Sequence, residues 1–158
     1  MKKLLTILRH GEAEFVDLNS KDFTRSLSPK GRADIKAISE TIQKRKTSFD
    51  LLIKSPSTRT VETAMLLMEQ IKFPKVKIEE SIYESSLENL LDVIRNIPVD
   101  ISNALLIGHN PSLSALIGYL VHDSYINLQP GTMVRMEVYV GDWDHITQGS
   151  ASVFEVIQ

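Results

Sequence analysis

The sequence predicts an α/β fold, a three-layer α/β/α sandwich with a mostly parallel central sheet. Short apolar runs alternate along the chain with longer segments whose apolar residues recur at helical spacing, which is the pattern of alternating strands and helices. The first apolar run has no polar face, as expected for a strand buried between two layers of helices. Ser-Pro and Asn-Pro pairs stand where two of the helices should begin.

The first half of the chain is predicted to hold strands at residues 3–8, 51–53 and 75–79. A helix begins at Ser28, whose side chain can cap it, with a proline at the first helical position. The apolar residues of this helix share one face: Ile35, Ile38 and Ile42. A second helix is predicted over residues 57–71. We expect this second helix to turn four apolar residues inward: Val61, Ala64, Leu67 and Met68.

The second half begins with a predicted helix over residues 87–97, a strand over 104–107 and a helix over 110–121 that an Asn-Pro pair caps. The apolar residues of the first of these helices lie at helical spacing: Leu87, Leu90, Leu91 and Ile94. Two more strands are predicted at residues 133–140 and 152–157, with a turn region rich in glycine and aspartate between them.

Length and composition indicate a single domain, residues 1–158. The formal charge of −2 argues against binding to nucleic acid or to an anionic membrane, both of which require a basic excess. The absence of cysteine excludes a disulfide scaffold, a cysteine nucleophile and thiolate metal sites. The apolar run at the N-terminus is too short for a signal peptide, and no segment approaches the length of a membrane span. We therefore expect a cytoplasmic protein, with a monomer as the simplest state.

Three polar segments each follow directly after a predicted strand, at residues 9–11, 55–60 and 108–111. Because the carboxyl ends of parallel strands meet at the same edge of a sheet, two arginines and two histidines should converge there: Arg9, His10, Arg59 and His109. Guanidinium groups bind phosphate oxygens bidentately, and two helix N-termini add backbone N–H donors. The sequence therefore predicts a site for a phosphoryl group.

His10 can be more than a ligand for phosphate. Imidazole forms covalent intermediates when one ring nitrogen is unprotonated, and surrounding positive charge lowers its pKa toward that form. Phosphoryl transfer spreads charge over the equatorial oxygens of its transition state. Three of the converging side chains are suited to neutralising that charge: Arg9, Arg59 and His109.

The same segments form an ordered set of motifs. Residues 8–12 read LRHGE, residues 27–32 read LSPKGR, residues 55–64 read SPSTRTVETA and residues 108–111 read GHNP. This set resembles the signature of the histidine phosphatase superfamily, whose members are phosphoglycerate mutase-like in fold. The matches run from residue 7 to about residue 120, which is most of the chain.

Within that superfamily, the chain resembles the small SixA-type phosphohistidine phosphatases. It is short, with no room for the insertions that cap larger members, and residues 22–27 read DFTRSL, similar to the group's D-x-x-R-P-L except for Ser26. The resemblance implies that His10 is phosphorylated and that three residues bind the phosphoryl group: Arg9, Arg59 and His109. It implies no metal and no organic cofactor. We expect the substrate to be a phosphohistidine protein, because an uncapped crevice can admit a bulky side chain, and we expect water to hydrolyse phospho-His10.

The residue that protonates the leaving group is left open between two acids. Residues 82–84 occupy the region that carries this acid in many members of the superfamily, which makes Glu84 the candidate, although it could simply begin the third helix. Glu12 is an alternative acid because it lies close to His10, but its position better suits orientation. Arg25 is a candidate phosphate ligand that could instead only pair with Asp22.

Three rival functions remain open at this point. The first is a phosphatase for small phosphomonoesters, and the second is a non-catalytic phosphate-binding module, which would not need His10 and His109 together. The third is a two-histidine metal site, which is weaker because Arg9 and Arg59 would repel a cation. Outside the motifs, His122 and His145 are interpreted as surface residues. Trp143 is interpreted as packing in a turn.

Overall fold

A computed structural model describes residues 2–15, 19, 21–123 and 126–158 and confirms the predicted α/β class. The strands are β1 (Lys3–Arg9), β2 (Leu51–Lys54), β3 (Lys75–Ile78), β4 (Asn103–Gly108), β5 (Met133–Val138) and β6 (Ala151–Ile157). In the described part of the chain they form one six-stranded sheet in the order β3-β2-β4-β1-β5-β6. The pairs from β3 to β1 are parallel, whereas β5 and β6 are antiparallel to their neighbours.

Helices cover both faces of the sheet and bury its apolar side chains. They are α1 (Pro29–Lys44), α2 (Thr58–Met68), α3 (Leu87–Arg95) and α4 (Ser112–Val121). Helices α1 and α2 pack on the face that carries Leu8, Leu52 and Leu105. Helices α3 and α4 pack on the opposite face, which carries Ile7 and Leu106. Burial of each such side chain stabilises the fold by roughly 1.5–3 kcal/mol, so both helix layers are held firmly against the sheet.

The start of α1 is tied to the segment that follows β1. Ser28 caps the helix, since its Oγ accepts a hydrogen bond from the Gly31 backbone N–H at 3.0 Å. The same hydroxyl donates to Glu12 Oε2 at 2.6 Å. A Cβ atom at Gly31 would lie 2.1 Å from the Glu12 carbonyl oxygen, so only glycine permits this approach. The LSPKGR motif therefore positions the chain just beyond His10.

The burial predicted for α2 is wrong at two positions. Met68 is exposed and Val61 is only partly buried, whereas Thr60 and Thr63 are fully buried. The inward face of the helix is therefore rotated toward the threonines, which a pattern of apolar residues alone does not reveal. The helix also ends at Met68, earlier than the prediction over residues 57–71.

Outside the sheet, the remaining interpretations of single residues agree with the structure. Trp143 is fully buried in a short turn, where its Nε1 donates to the Ile101 carbonyl at 2.8 Å. His122 and His145 are exposed. Among the residues described, no helix has the length and apolar character needed to cross a membrane.

Candidate active site

A cavity of about 430 Å³ opens at the carboxyl edge of the sheet. The six residues predicted for the site all line it: Arg9, His10, Arg25, Arg59, Glu84 and His109. Four of them, Arg9, His10, Arg59 and His109, meet because β1, β2 and β4 are adjacent and parallel, so the segments at their carboxyl ends leave the sheet side by side. A larger hollow of about 660 Å³ lies beside α4, but its described lining contains no arginine or lysine. The chemistry of a phosphate site therefore favours the smaller cavity.

His10 lies at the floor of the cavity with one tautomer selected. Its Nδ1 is 2.7 Å from the Gly11 carbonyl oxygen, which can only accept, so Nδ1 carries the proton. The Arg59 Nε–H donates to His10 Nε2 at 3.2 Å, so Nε2 presents its lone pair toward the arginine. Burial lowers the pKa of His10 to about 4, with further lowering by Arg59 and Arg9 against the Gly11 hydrogen bond, which raises it. Nε2 is therefore unprotonated at neutral pH.

Arg59 lies in the first turn of α2 and bridges the two histidines. Its Nη2 lies 3.4 Å from His109 Nδ1 while its Nε donates to His10. The imidazole rings have their centroids 5.1 Å apart, so the guanidinium group and both rings form a compact cluster. The first turn of α2 holds Arg59 at the carboxyl edge of the sheet, where its side chain is buried.

His109 is held from the side opposite Arg59. Its Nε2 lies 2.7 Å from Ser55 Oγ, a fully buried hydroxyl at the end of β2. Burial lowers the pKa of His109 to about 3, helped by His10 and Arg59, so this ring is also neutral. Because a hydroxyl can donate or accept, Ser55 can serve either tautomer of His109.

Arg9 supplies a second guanidinium group to the cavity. Its Nη1 donates to the Leu128 carbonyl at 2.8 Å, while its Nε is buried without a hydrogen-bond partner among the described residues. Burial lowers the pKa of Arg9, and the nearby charge of Arg59 lowers it further. Two neighbouring guanidinium charges repel each other, and a bound oxyanion would offset that repulsion.

Two residues that the sequence analysis did not name as site residues complete the site. The Asp22 carboxylate accepts from the Tyr83 hydroxyl at 2.6 Å, from Arg59 Nη2 at 3.2 Å and from Arg25 Nη1 at 3.3 Å. The Tyr83 hydrogen bond is the largest cause that lowers the pKa of Asp22 to about 2. The same contact raises the pKa of Tyr83 to about 12. Asp22 was visible only as part of the DFTRSL motif, and no sequence signal singled out Tyr83.

The three uncertain candidates lie at the mouth of the cavity. Glu84 is exposed and adopts a left-handed backbone conformation with φ of 54°, before the Ser86 cap of α3. It therefore does not belong to that helix. Arg25 lines the cavity and forms the expected ion pair with Asp22, whereas its role as a phosphate ligand stays a prediction. Glu12 accepts a hydrogen bond from the Ser28 hydroxyl, and its role in orientation stays a prediction.

The arrangement offers little to a metal ion. Among the residues that the structure describes, no three or more histidine, aspartate or glutamate side chains are grouped so that they could hold one. Arg59 donates to one nitrogen of His10 and lies beside one of His109, where a bound metal would need free lone pairs.

Comparisons with known proteins agree with this geometry. The family model described as histidine phosphatase superfamily (branch 1) matches residues 5–93. Over its full length the chain is similar to the structure of SixA from Nakamurella multipartitia, with a TM-score of 0.86, 20% identity and coverage of 100% of this chain and 96% of that one. The protein histidine phosphatase SixA complexed with tungstate gives a TM-score of 0.83 at 14% identity, covering 98% and 96%. These two likenesses confirm the predicted histidine phosphatase-like fold.

A curated relative adds a partial match. The mitochondrial serine/threonine-protein phosphatase Pgam5 of Drosophila ananassae is 28% identical over 79 residues, which cover 50% of this chain. The chain matches only 27% of the length of that relative. The family model itself spans more than half of the chain and includes the segments that carry His10 and Arg59. The chain therefore belongs to branch 1 of the histidine phosphatase superfamily, which confirms the predicted membership.

Proposed function

We propose that the chain is a phosphohydrolase that removes phosphate from phosphohistidine on a protein, through a phosphohistidine intermediate on His10. The observation that carries the proposal is the lone pair of His10 Nε2, held unprotonated in a cavity that three arginines line. A module that only binds phosphate needs the arginines but has no use for a buried, neutral imidazole with a fixed tautomer.

In the first step, His10 Nε2 attacks phosphorus in line with the bond to the leaving group. Arg59 Nε already lies 3.2 Å from Nε2, so a phosphoryl group bonded there would contact this guanidinium. Arg9 and His109 line the same cavity and can share the charge that builds on the equatorial oxygens. In the second step, water attacks the phosphorus of phospho-His10 and releases inorganic phosphate.

The choice of phosphohistidine as the substrate rests on the chemistry of its leaving group. Cleavage of a P–N bond releases an imidazole that carries its proton on the other ring nitrogen, so no strong acid is required from the protein. This suits a cavity in which Asp22 is ionised and Glu84 is exposed at the rim. Similarity to a structure named as a protein histidine phosphatase supports the same substrate class.

The whole site arises from one sheet and its helices, which supports a single domain over residues 1–158.

A turnover assay with two substrates tests the proposal. One substrate is a phosphohistidine-bearing carrier protein, and the other is para-nitrophenyl phosphate. We expect fast release from the carrier protein, slow release from the aryl phosphate, and a loss of about a thousandfold or more in His10→Ala. His145→Ala is the matched control, because this exposed histidine lies beside Trp143, away from the cavity.

Each other outcome rejects a part of the proposal. Full activity in His10→Ala would exclude the covalent mechanism. A wild-type preference for para-nitrophenyl phosphate would indicate a small-molecule phosphomonoesterase and make Glu84 the next residue to change. Binding of inorganic phosphate without turnover of either substrate would indicate a phosphate-binding module.

A further inference from the structure

We propose that the Asp22 carboxylate determines specificity by favouring a leaving group that carries positive charge, such as the protonated ring of phosphohistidine, over a neutral ester. This inference rests on the proposed function, since it names the residue that discriminates between leaving groups at the same site. Neither the motifs nor the family match assigns a role to Asp22.

Asp22 lies where the leaving group has to be. The side chains of His10 and Arg59 form the buried floor of the cavity, with Arg59 8% exposed, whereas the Asp22 side chain is 48% exposed at the mouth. His10 Nε2 attacks from the floor, and in-line displacement places the leaving group on the opposite side of phosphorus. The leaving group therefore lies toward the mouth, beside Asp22.

The carboxylate is held in a fixed orientation. Tyr83 and Arg59 donate to Oδ2, Arg25 donates to Oδ1, and the Asp22 carbonyl accepts from Arg59 Nη1 at 2.8 Å. A carboxylate has about four lone-pair positions, so three side-chain donors leave room for one more hydrogen bond. The N–H group of a protonated imidazole is a donor of the right kind.

The chemistry of the step explains why the charge matters. In the protonated form of phosphohistidine, one ring nitrogen bears phosphorus and the other bears a proton, and the ring is cationic. His10 Nε2 forms the new N–P bond as the old one breaks, and the electron pair of the broken bond stays on the leaving nitrogen. The ring departs as neutral imidazole with its proton still on the far nitrogen. A carboxylate beside that N–H stabilises the protonated, labile form.

The same carboxylate disfavours an ester. Arg59 Nη2 contacts Asp22, so a phosphoryl group bound to Arg59 lies close to a second anion. A phosphoimidazolium ring compensates this repulsion with its own positive charge, whereas an aryl phosphate develops more negative charge on its leaving oxygen. The two other carboxylates that line the cavity differ from Asp22. Glu12 is bound to Ser28, and the described hydrogen bonds of Arg59 go to residues other than Glu84.

The test compares two small substrates that differ in the leaving group, N-phosphoimidazole and para-nitrophenyl phosphate. Asp22→Asn removes the charge but keeps an oxygen that can accept from Tyr83 and Arg59. We expect the ratio of the two kcat/KM values, phosphoimidazole over aryl phosphate, to fall by at least about tenfold in Asp22→Asn. Such a change corresponds to the loss of an interaction between two charges that solvent partly screens. Asp100→Asn is the control, because Asp100 is exposed just before β4, at the opposite edge of the sheet.

Inhibition by inorganic phosphate separates specificity from simple positioning of Arg59. If Asp22 selects the leaving group, Asp22→Asn binds phosphate at least as tightly as the wild type, because an anion has been removed from the cavity. Equal losses for both substrates with weaker phosphate binding would show that Asp22 only positions Arg59 and would overturn the inference. An unchanged ratio would overturn it as well.

The two proposals fail in different ways. A wild type that prefers para-nitrophenyl phosphate rejects phosphohistidine as the substrate, yet a further fall of the ratio in Asp22→Asn would still support the role of Asp22. A wild type that prefers N-phosphoimidazole with a ratio that does not change in Asp22→Asn supports the proposed function and rejects the role of Asp22.

Discussion

At the scale of single residues, burial and neighbouring cations keep both histidines of the cavity neutral. Burial is the largest cause for each, lowering the pKa of His10 to about 4 and that of His109 to about 3. An exposed histidine would be partly protonated near neutral pH and its nucleophilic nitrogen partly blocked. The described hydrogen bonds of His10 go to the Gly11 carbonyl and to Arg59, so its reactive nitrogen is unprotonated without a hydrogen bond to a carboxylate.

The depressed pKa of His10 predicts the acid side of the pH profile. Protonation of Nε2 removes the nucleophile, and it occurs only as the pH falls toward about 4. We therefore expect kcat/KM, corrected for ionisation of the substrate, to be nearly constant from about pH 7 to about pH 5 and to decline below that. Steady-state kinetics over this range is the measurement. An acid limb near the ordinary histidine pKa of about 6.5 would contradict the account.

Ser55 predicts a positioning effect at His109. Ser55→Ala removes the hydroxyl that lies 2.7 Å from His109 Nε2 and leaves that nitrogen buried without a partner. We expect kcat to fall by about tenfold with little change in KM, because the ring loses its orientation rather than its contact with substrate. Ser81→Ala, at an exposed serine bonded to Glu79, is the control. An equal effect of both substitutions would contradict this role.

At the scale of elements, the approach of α1 to the segment after β1 predicts a strong effect of Gly31→Ala. Alanine normally favours a helix by about 1 kcal/mol over glycine. Here its Cβ would meet the Glu12 carbonyl oxygen at 2.1 Å and the Glu12 nitrogen at 2.9 Å, and both are backbone atoms. We expect unfolding in urea to show a net loss of about 1–3 kcal/mol, with reduced activity because Glu12 follows closely after His10.

The matched control for this substitution is Gly141→Ala, where no atom lies within 4 Å of the added Cβ. A stability of Gly31→Ala equal to or above that of the wild type would show that the backbone near Glu12 yields easily. It would remove the physical reason offered here for glycine in the LSPKGR motif.

The helices and strands also show which parts of the fold can be predicted from the sequence. Buried strands read as apolar runs and helices begin at Ser-Pro or Asn-Pro pairs, so strand order along the chain and the convergence of His10 with His109 could be predicted. The burial of α2 was mispredicted because buried threonines share its inner face. The hydrogen bond between Asp22 and Tyr83 joins residues that are far apart in sequence. Neither periodicity nor motif spacing predicts such a contact.

At the scale of the whole molecule, chemistry and anchoring lie at opposite edges of the sheet. Beside the amino ends of β1 and β4, Lys3 is buried with its Nζ donating to the Val99 and Ile101 carbonyls, each at 3.1 Å. Trp143 donates to the same Ile101 carbonyl. The Lys3 ammonium group lies over its ring, with Nζ 5.3 Å from the ring centroid. This cluster closes the edge away from the cavity and stabilises the fold.

The separation of the two edges predicts that Trp143→Phe changes stability without changing catalysis. The substitution removes the hydrogen bond to Ile101 and leaves unfilled volume, so we expect the free energy of unfolding to fall by about 1–3 kcal/mol. The kcat of the folded protein should stay within about twofold of the wild type. A large loss of kcat with unchanged stability would show that the two edges are coupled.

The central claim is that His10 Nε2 becomes covalently phosphorylated, and rapid-quench labelling tests it most directly. Protein mixed with a radiolabelled phosphohistidine carrier is quenched in base within one turnover and mapped by mass spectrometry. The account predicts an acid-labile phosphoryl group on His10 that forms and decays at the rate of turnover, and none in His10→Ala. Turnover at the full rate with no label on His10 at any time would contradict the account.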